Sequence, residues 1–500
     1  MKKILLETSF SKIYMIVMII ITLLILGGYF SYAMFTVSKE KSNAISIVTG
    51  NLTYELLIDG EEGNTLTVPS NTVKDFTITL SNPNNRTARF NFYYVGELSL
   101  GVNAGYFESD GYNVTPESVG INLEKEGTSG SSNVYKIVVS NATNKEVIIN
   151  LGVRVGLDYN DLSLPDNGHL FTKVNKEIAT TLVKNKSNDE SLAFEDATEE
   201  EKKEAWLYSH PATEQTDALV DYRYVGSDPN NYVLFNNELW RIIGSFTVDD
   251  GNGNLEERLK IVSDERLNGY YSWDNKDTTT GALTDKGKND WSSARLNYLL
   301  NEGHEGEENG GSLYYNSGKG LCYSNQFNAL VSCDFTKTGL KKLSKTMIDN
   351  ALWYLGGTTQ ESNEVSDYYI YERSVEVYNG NPISWLGKVG LIYSSDYGYA
   401  TSGGDSVTRN ECLNMLIYNW RTNIECYENN WLHDNYVWHW TITASSKDSY
   451  SVFRVSKNGE VNFQVGAYDY IGVYPVVYLK KEVNIIFGNG SKENPYILYL

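Results

Sequence analysis

The chain has 500 residues, a formal net charge of −21, 38 tyrosines and only 9 prolines. That length exceeds one ordinary core and asks for two or three domains. The negative charge argues against a nucleic-acid binder, because phosphate contacts need clustered Lys and Arg. The excess of aromatic and β-branched residues, with Asn and Gly in turns, points to sheet more than helix.

The chain opens with Lys2, Lys3 and Lys12 against Glu7, then carries no charge from Ile13 to Thr36. A basic flank before an apolar run keeps the N-terminus inside and sends the rest of the chain outward. Gly27 and Gly28 divide the run and leave an apolar core of fourteen residues, Ile13–Leu26. That is signal-peptide length and short for a membrane span. Ser31 and Ala33 are small residues at the −3 and −1 positions of a cut after Ala33. The expectation is cleavage by signal peptidase; an uncleaved anchor through residues 13–35 is the alternative. Either way, residues after 34 are exported and extracellular.

From Ala44 to about Asn160 the text is β, within an expected domain of residues 34–160. "DFTITLSN" sets Phe76, Ile78 and Leu80 against Thr77 and Thr79. "ARFNFYYVG", "VYKIVVSN" and "EVIINLGVRVGL" repeat the alternation with Phe90 and Phe92, with Tyr135, Ile137 and Val139, and with Val147 to Val155. Short period-two runs punctuated by Asn, Gly and Asp predict half-buried antiparallel strands in a jelly-roll-like β-sandwich. The stretches "GGYFSYAMF", "SKEKSNAISIVTGNLTYEL" and "TVPSNTVKDFTITLSN" resemble the TasA/camelysin family of exported Gram-positive matrix proteins over roughly residues 20–160. The resemblance implies a β-sandwich that can self-assemble into fibres of a biofilm matrix. A protease activity attributed to some members is not carried over: no HExxH is present, and no His or Cys precedes residue 160.

Residues 161–220 read as a connector with short helices, one near Val174–Lys184 and an exposed one in "EDATEEEKKEAWLYSH". "LPDNG" at 164–168 lacks the Thr of a wall-sorting signal. All ten Trp follow position 205 and all four Cys follow position 321, so the chain changes character before the second domain, 221–500. There "NYVLFNNELWRIIGSF" predicts a hairpin turning at Asn236 and Asn237. "KNDWSSARLNYLLNEG" predicts a helix capped by Asp290. "LSKTMIDNALWYLGG" predicts another, with Leu343, Met347, Ala351, Leu352 and Leu355 at helical spacing. "GKVGLIYSSDYGYAT" reads as a strand with its exit loop, and "SVFRVSKNGEVNF" as a hairpin at Asn458-Gly459. These landmarks, with "YSWDNK", "NNWLHDN" and "YPVVYL", resemble a recurrent surface-protein domain of Firmicutes. Two early helices, a late Trp-rich segment and a terminal strand also look like the C-type-lectin and formylglycine-generating-enzyme fold group. The fold class expected for the whole is therefore mainly β with some α, a sandwich followed by a mixed α+β lectin-like domain.

Cys322, Cys333, Cys412 and Cys426 contain no CxxC pair, which argues against a zinc knuckle. Export favours disulfides, and proximity favours Cys322–Cys333 and Cys412–Cys426 among three possible pairings. None of the four contexts resembles the cysteine motif of formylglycine-generating enzymes. "DDGNGNLEE" starts like a calcium loop, but Leu255 stands where Gly is needed and Ile261 where Glu is needed; an exposed hairpin tip is the better reading. The segment "NNWLHDNYVWHW" gathers Trp431, His433, Asp434, Trp438, His439 and Trp440. Ring faces beside Asn and Asp suit sugar binding; one strand with alternating core and surface aromatics explains the same pattern. The motifs call for no cofactor, no metal and no catalytic residue. The functional expectation is a cell-surface binding or adhesion protein whose partners are surface glycans or peptides. The alternatives are a fibre or matrix subunit and an extracellular enzyme of unknown reaction.

Overall fold

The computed structural model describes residues 52–107, 121–157, 163–189, 191–274, 286–306, 310–324, 330–463 and 466–500. The apolar segment 13–35, with Ser31 and Ala33, lies outside them. Among the described residues no helix is long and apolar enough to cross a membrane.

The described chain is mainly β with short helices. Its first unit has two sheets. One runs in the order Thr172–Lys173, Val102–Phe107, Ser132–Asn141, Thr72–Ser81, Glu55–Ile58, Glu61–Glu62. The other runs Gly168–Leu170, Ala88–Val95, Val147–Gly156, Thr65–Val68, with Ile121–Leu123 beside Ala88–Val95. Alternation decides what lies between them. Phe76, Ile78 and Leu80 from one sheet and Phe90, Leu151 and Val153 from the other share a single core, and Phe92 meets Tyr135 edge to face at 5.3 Å.

A second, larger core spans Ala179 to Leu498. Its main sheet has ten strands, with Glu238–Asp249 and Leu255–Ser263 at the centre. The hairpin turn at Asn236 and Asn237 holds both residues at positive φ, 58° and 62°, the conformation of a type I′ turn in which Asn is tolerated. Residues 250–254 form the tip of the next hairpin. There the Asp250 carboxylate accepts from Asn252 N at 2.7 Å and Asn254 Nδ2 at 3.0 Å, closing the turn on itself. The segment 161–220 is built into both units. Gly168–Leu170 and Thr172–Lys173 join the first unit's sheets, while Glu177–Ile178, Ala205–His210 and Leu219–Tyr224 join the ten-stranded one.

Several expected elements differ; the helix expected from Asp290 is a 3₁₀ turn, Trp291–Ser293, and a separate helix, Arg295–Leu300, and the one expected near Val174–Lys184 is Ala179–Asn185. The helix expected through Leu355 stops at Met347, and Ala351–Tyr354 is a strand paired with Ser384–Gly387. Asp349 and Asn350 interrupt the helix. Beyond them Ala351 and Trp353 point inward at period two, and Trp353 Nε1 donates to Gly387 O at 3.1 Å. The exposed helix expected near residue 200 is two 3₁₀ turns, Phe194–Asp196 and Glu201–Lys203, before a strand; Trp206 is pulled into a small core with Ala197 and Val225. The strand expected from Val389 ends at Gly390, and Ser394–Tyr399 is helical because the Asp396 side chain accepts from Tyr393 N at 2.9 Å.

The units meet through the outer face of the first unit's six-stranded sheet. Val138 there is fully buried with Val174, Leu234, Ile486 and Ile497. Tyr499 clamps the contact, its hydroxyl accepting from Lys136 Nζ at 2.6 Å and donating to Asp75 at 2.9 Å.

Both favoured disulfides form, Cys322–Cys333 and Cys412–Cys426. The second ties Arg409–Leu413 to Glu425–Glu428. Loss of Cys412–Cys426 by Cys→Ser substitution is expected to destabilise the second unit by about 2–4 kcal/mol, because the unfolded chain regains the closed loop's freedom. Denaturant titration followed by Trp fluorescence reads that unit alone, since every Trp follows residue 205.

Candidate functional site

A cavity of about 320 Å³ opens on the second unit, lined among others by Arg241, Asp264, Trp431, His433, Asp434, Tyr436, His439 and Tyr474. Its volume lies in the range of small-ligand sites, about 300–1,000 Å³. Three separated parts of the chain meet here: the central strands that carry Arg241 and end at Asp264, the loop 431–437, and the approach to the strand Val476–Tyr478.

Arg241 is the inner cation. It is buried, and its Nε donates to Asn231 Oδ1 at 2.9 Å. The Asn231 amide in turn donates to Ile242 O at 2.9 Å, which fixes the pair to the strand. The guanidinium lies over the rings of Tyr232 and Trp431 at 4.3 and 4.6 Å, and its Nη2 has no hydrogen-bond partner among the described residues. Burial lowers the Arg241 pKa, although Tyr232, Asp264 and Asp228 oppose the shift. Burial raises that of Asp264 against the pull of Arg241 and Lys492. A partly desolvated cation and carboxylate in one cavity are strong donors and acceptors for a polar ligand, because water no longer screens them.

The loop is shaped by Asp434. Its Oδ1 accepts from Tyr436 N at 2.7 Å and Val437 N at 3.2 Å, and its Oδ2 accepts from the Tyr474 hydroxyl at 2.6 Å. His433 bonds Tyr397 Oη through Nδ1 at 3.3 Å and Asn435 Oδ1 through Nε2 at 3.1 Å. Burial lowers the pKa of both histidines, and His439, with His433 beside it, falls to about 4. Both are neutral near pH 7.

Tyr436 also lines a second, smaller cavity of about 210 Å³ with Tyr270, Trp438, Lys457 and Tyr470. Tyr436 is 88 % exposed, Trp438 40 % and Tyr470 41 %. Trp438 is held from one side by the buried Arg454 guanidinium, 3.7 Å from its ring centroid. An aromatic shelf therefore borders the polar cavity.

The structure thus brings Trp431, His433 and Asp434 to one cavity and Trp438 to the adjoining shelf. Trp440 is elsewhere. It is 1 % exposed, and its Nε1 donates to Tyr271 O at 2.8 Å inside the core, so it offers no ring face to a ligand. His439 and Trp440 are both buried because their strand lies within the domain, so alternation does not expose every second aromatic. Arg241, Asp264, Tyr436, Tyr470 and Tyr474 do not stand out in the sequence. The one signal is a charged residue inside the apolar strand "LWRIIG". Cys322, Cys333, Cys412 and Cys426 are all disulfide-bonded. Among the described residues no group of three or more His, Cys, Asp or Glu is placed to hold a metal ion.

Comparison of the chain with family models, with curated proteins and with solved structures gives no match.

Proposed function

We propose that the second unit is a glycan-binding module, displayed outside the cell by an exported, cell-surface protein whose first unit is matrix-protein-like. The observation that carries the reading is the shared rim: exposed rings of Tyr436, Trp438 and Tyr470 adjoin a cavity holding the underbonded Arg241 guanidinium and the Asp264 carboxylate. A pyranose offers a C–H face to a ring and hydroxyls to fixed donors and acceptors, and this surface supplies both. A cation beside a carboxylate favours a neutral sugar, whose vicinal hydroxyls both donate and accept. Two disulfides accord with an oxidising exterior.

The test is a glycan array probed with the full chain, followed by calorimetry on any neutral oligosaccharide captured. Trp438→Ala and Tyr436→Ala are each expected to weaken binding by about ten- to a hundredfold, the cost of losing a stacking anchor. Arg241→Met is expected to abolish it. An array without neutral-glycan signal, or full affinity in both aromatic variants, would overturn the reading.

A further inference from the structure

The polar cavity and the aromatic shelf of the second unit share one lining residue, Tyr436. The two spaces differ in kind. The cavity is walled by Arg241, Val262, Ile392, Trp431 and His439, each at most 9 % exposed. Of its lining only Asn435 and Tyr436 are exposed, and they are neighbours on the loop 431–437. The cavity is therefore closed on its inner side and has its rim on the loop. The shelf is bordered by the exposed rings of Tyr436, Trp438 and Tyr470 and by the half-buried Tyr270. Asp434 sets the boundary between them, because its carboxylate holds the backbone N–H groups of Tyr436 and Val437.

Two side chains of the closed side keep an unused hydrogen-bonding atom. Arg241 Nη2 and His439 Nδ1 belong to buried residues and have no partner among the described residues. His433 differs, since both its ring nitrogens are engaged, on Tyr397 and on Asn435. A buried polar atom left without a partner is unfavourable, and a ligand group that reaches the inner wall removes that penalty. A hydroxyl both donates and accepts, so it satisfies the arginine N–H and the imidazole nitrogen in either tautomer. His439 thereby joins Arg241 and Asp264 as a group that reads the ligand's innermost ring.

We infer that this surface binds the non-reducing end of a glycan chain through two adjoining subsites. The terminal ring enters the cavity with its hydroxyls toward Arg241, His439 and Asp264, and the next ring lies on the shelf against Trp438 and Tyr470. The inference rests on the glycan reading of the cavity and shelf and adds which part of the glycan is held. At about 320 Å³ the cavity is at the lower end of small-ligand sites, about 300–1,000 Å³, with room for one ring and not for a chain. A chain running on in both directions has no exit through the buried inner wall. A surface glycan is tethered through its reducing end, so its free non-reducing end is the one that can enter. The shelf, of about 210 Å³, then takes the second ring by stacking.

Inhibition of the full chain's binding to a neutral-glycan array tests this, with soluble methyl glycosides of cello-, manno-, galacto- and chito-oligosaccharides as probes. In at least one series the disaccharide is expected to inhibit at least about tenfold better than the monosaccharide, with the trisaccharide within about threefold of the disaccharide. O-methylation of the trisaccharide's terminal non-reducing ring alone is expected to cost at least about tenfold, because that ring must fit the closed cavity. Trp438→Ala should cost the disaccharide at least about tenfold more than it costs the monosaccharide. His439→Phe keeps a flat ring in the core and removes the nitrogen, so it should weaken both alike; unchanged Trp fluorescence checks that the variant folds. Equal inhibition by the methylated and unmethylated trisaccharides, or array binding that none of the methyl glycosides inhibits, overturns the chain-end inference and leaves the glycan reading standing. An array without neutral-glycan signal overturns both.

Discussion

Asp396→Ala is expected to destabilise the second unit by about 3–5 kcal/mol, the cost of breaking a buried ion pair from one side. Asp396 is 1 % exposed. One of its oxygens accepts from Arg223 Nη1 at 2.8 Å, and the other accepts from Lys260 Nζ and from Tyr393 N. Removing it takes the carboxylate from buried Lys260, leaves buried Arg223 with Asp221 alone, and uncaps the helix Ser394–Tyr399. Asp221 cannot compensate, because it already pairs with Arg223 Nη2 at 3.0 Å and has His210 Nε2 at 3.1 Å, off the line of a good hydrogen bond.

The pH dependence has a defined sign. Burial alone would raise Asp396, but Lys260 and Arg223 outweigh it and hold the carboxyl at about 2. Its contribution is thus present above the unfolded value of about 3.9 and lost as pH falls through about 2. The variant's stability should therefore be flatter between these values than the parent's. Lys260 is pulled to about 8 by burial even with Asp396 opposing, and without Asp396 it should go neutral. Urea denaturation at several pH values, followed by Trp fluorescence, reads all of this. A loss below about 1 kcal/mol would show that water or neighbouring groups reach the cations instead.

The second large effect is alkaline unfolding. Tyr224, Tyr314, Tyr393, Tyr397 and Tyr478 are buried in the second unit, and burial pushes each hydroxyl well above the ordinary value. Each stays protonated in the fold while the unfolded chain ionises above about pH 10. Their contribution is fully present below that value and lost as pH rises. Each side chain contributes about 1.4 kcal/mol per pH unit, so five together remove roughly 7 kcal/mol by about pH 11, comparable with the stability of a whole domain. A cooperative rise in tyrosinate absorbance, coincident with a change in Trp fluorescence, is the expected result. Gradual tyrosine titration with an unchanged Trp signal would contradict it.

How far the sequence speaks depends on the range of the interaction. The strands of the first unit were legible because one face is core: Phe76, Ile78 and Leu80 alternate with threonines, and they are buried. Val138 shows the limit. Its neighbours Ile137 and Val139 mark the inner face, yet Val138 is buried too, against a unit folded from later residues. The turn at Asn236-Asn237 was legible because few side chains tolerate two successive positive φ values. The stretch 343–355 misled because Leu343, Met347, Ala351 and Leu355 fit a helix, while Ala351 and Trp353 also fit a strand. Pairing with Ser384–Gly387, some thirty residues on, decided between them. The same holds for the site. Trp431, His433 and Asp434 share one loop and could be seen together, whereas Arg241, Asp264 and Tyr474 join them only through the order of strands in the sheet.

The placement of the strand Tyr496–Tyr499 sets an order of assembly. It lies between Asn484–Phe487 and Tyr232–Phe235, parallel to the latter, and Glu177–Ile178 hangs on the far side of Asn484–Phe487. A chain emerging N-terminus first can close its first core once residue 173 is made. The slot beside Tyr232–Phe235 stays vacant until about 260 residues after Phe235 have been added. Through that interval an apolar strand edge next to Leu234 and the outer face at Val138 stay uncovered. The nascent chain is thus most exposed to wrong pairing in the interval before the strand Tyr496–Tyr499 is added.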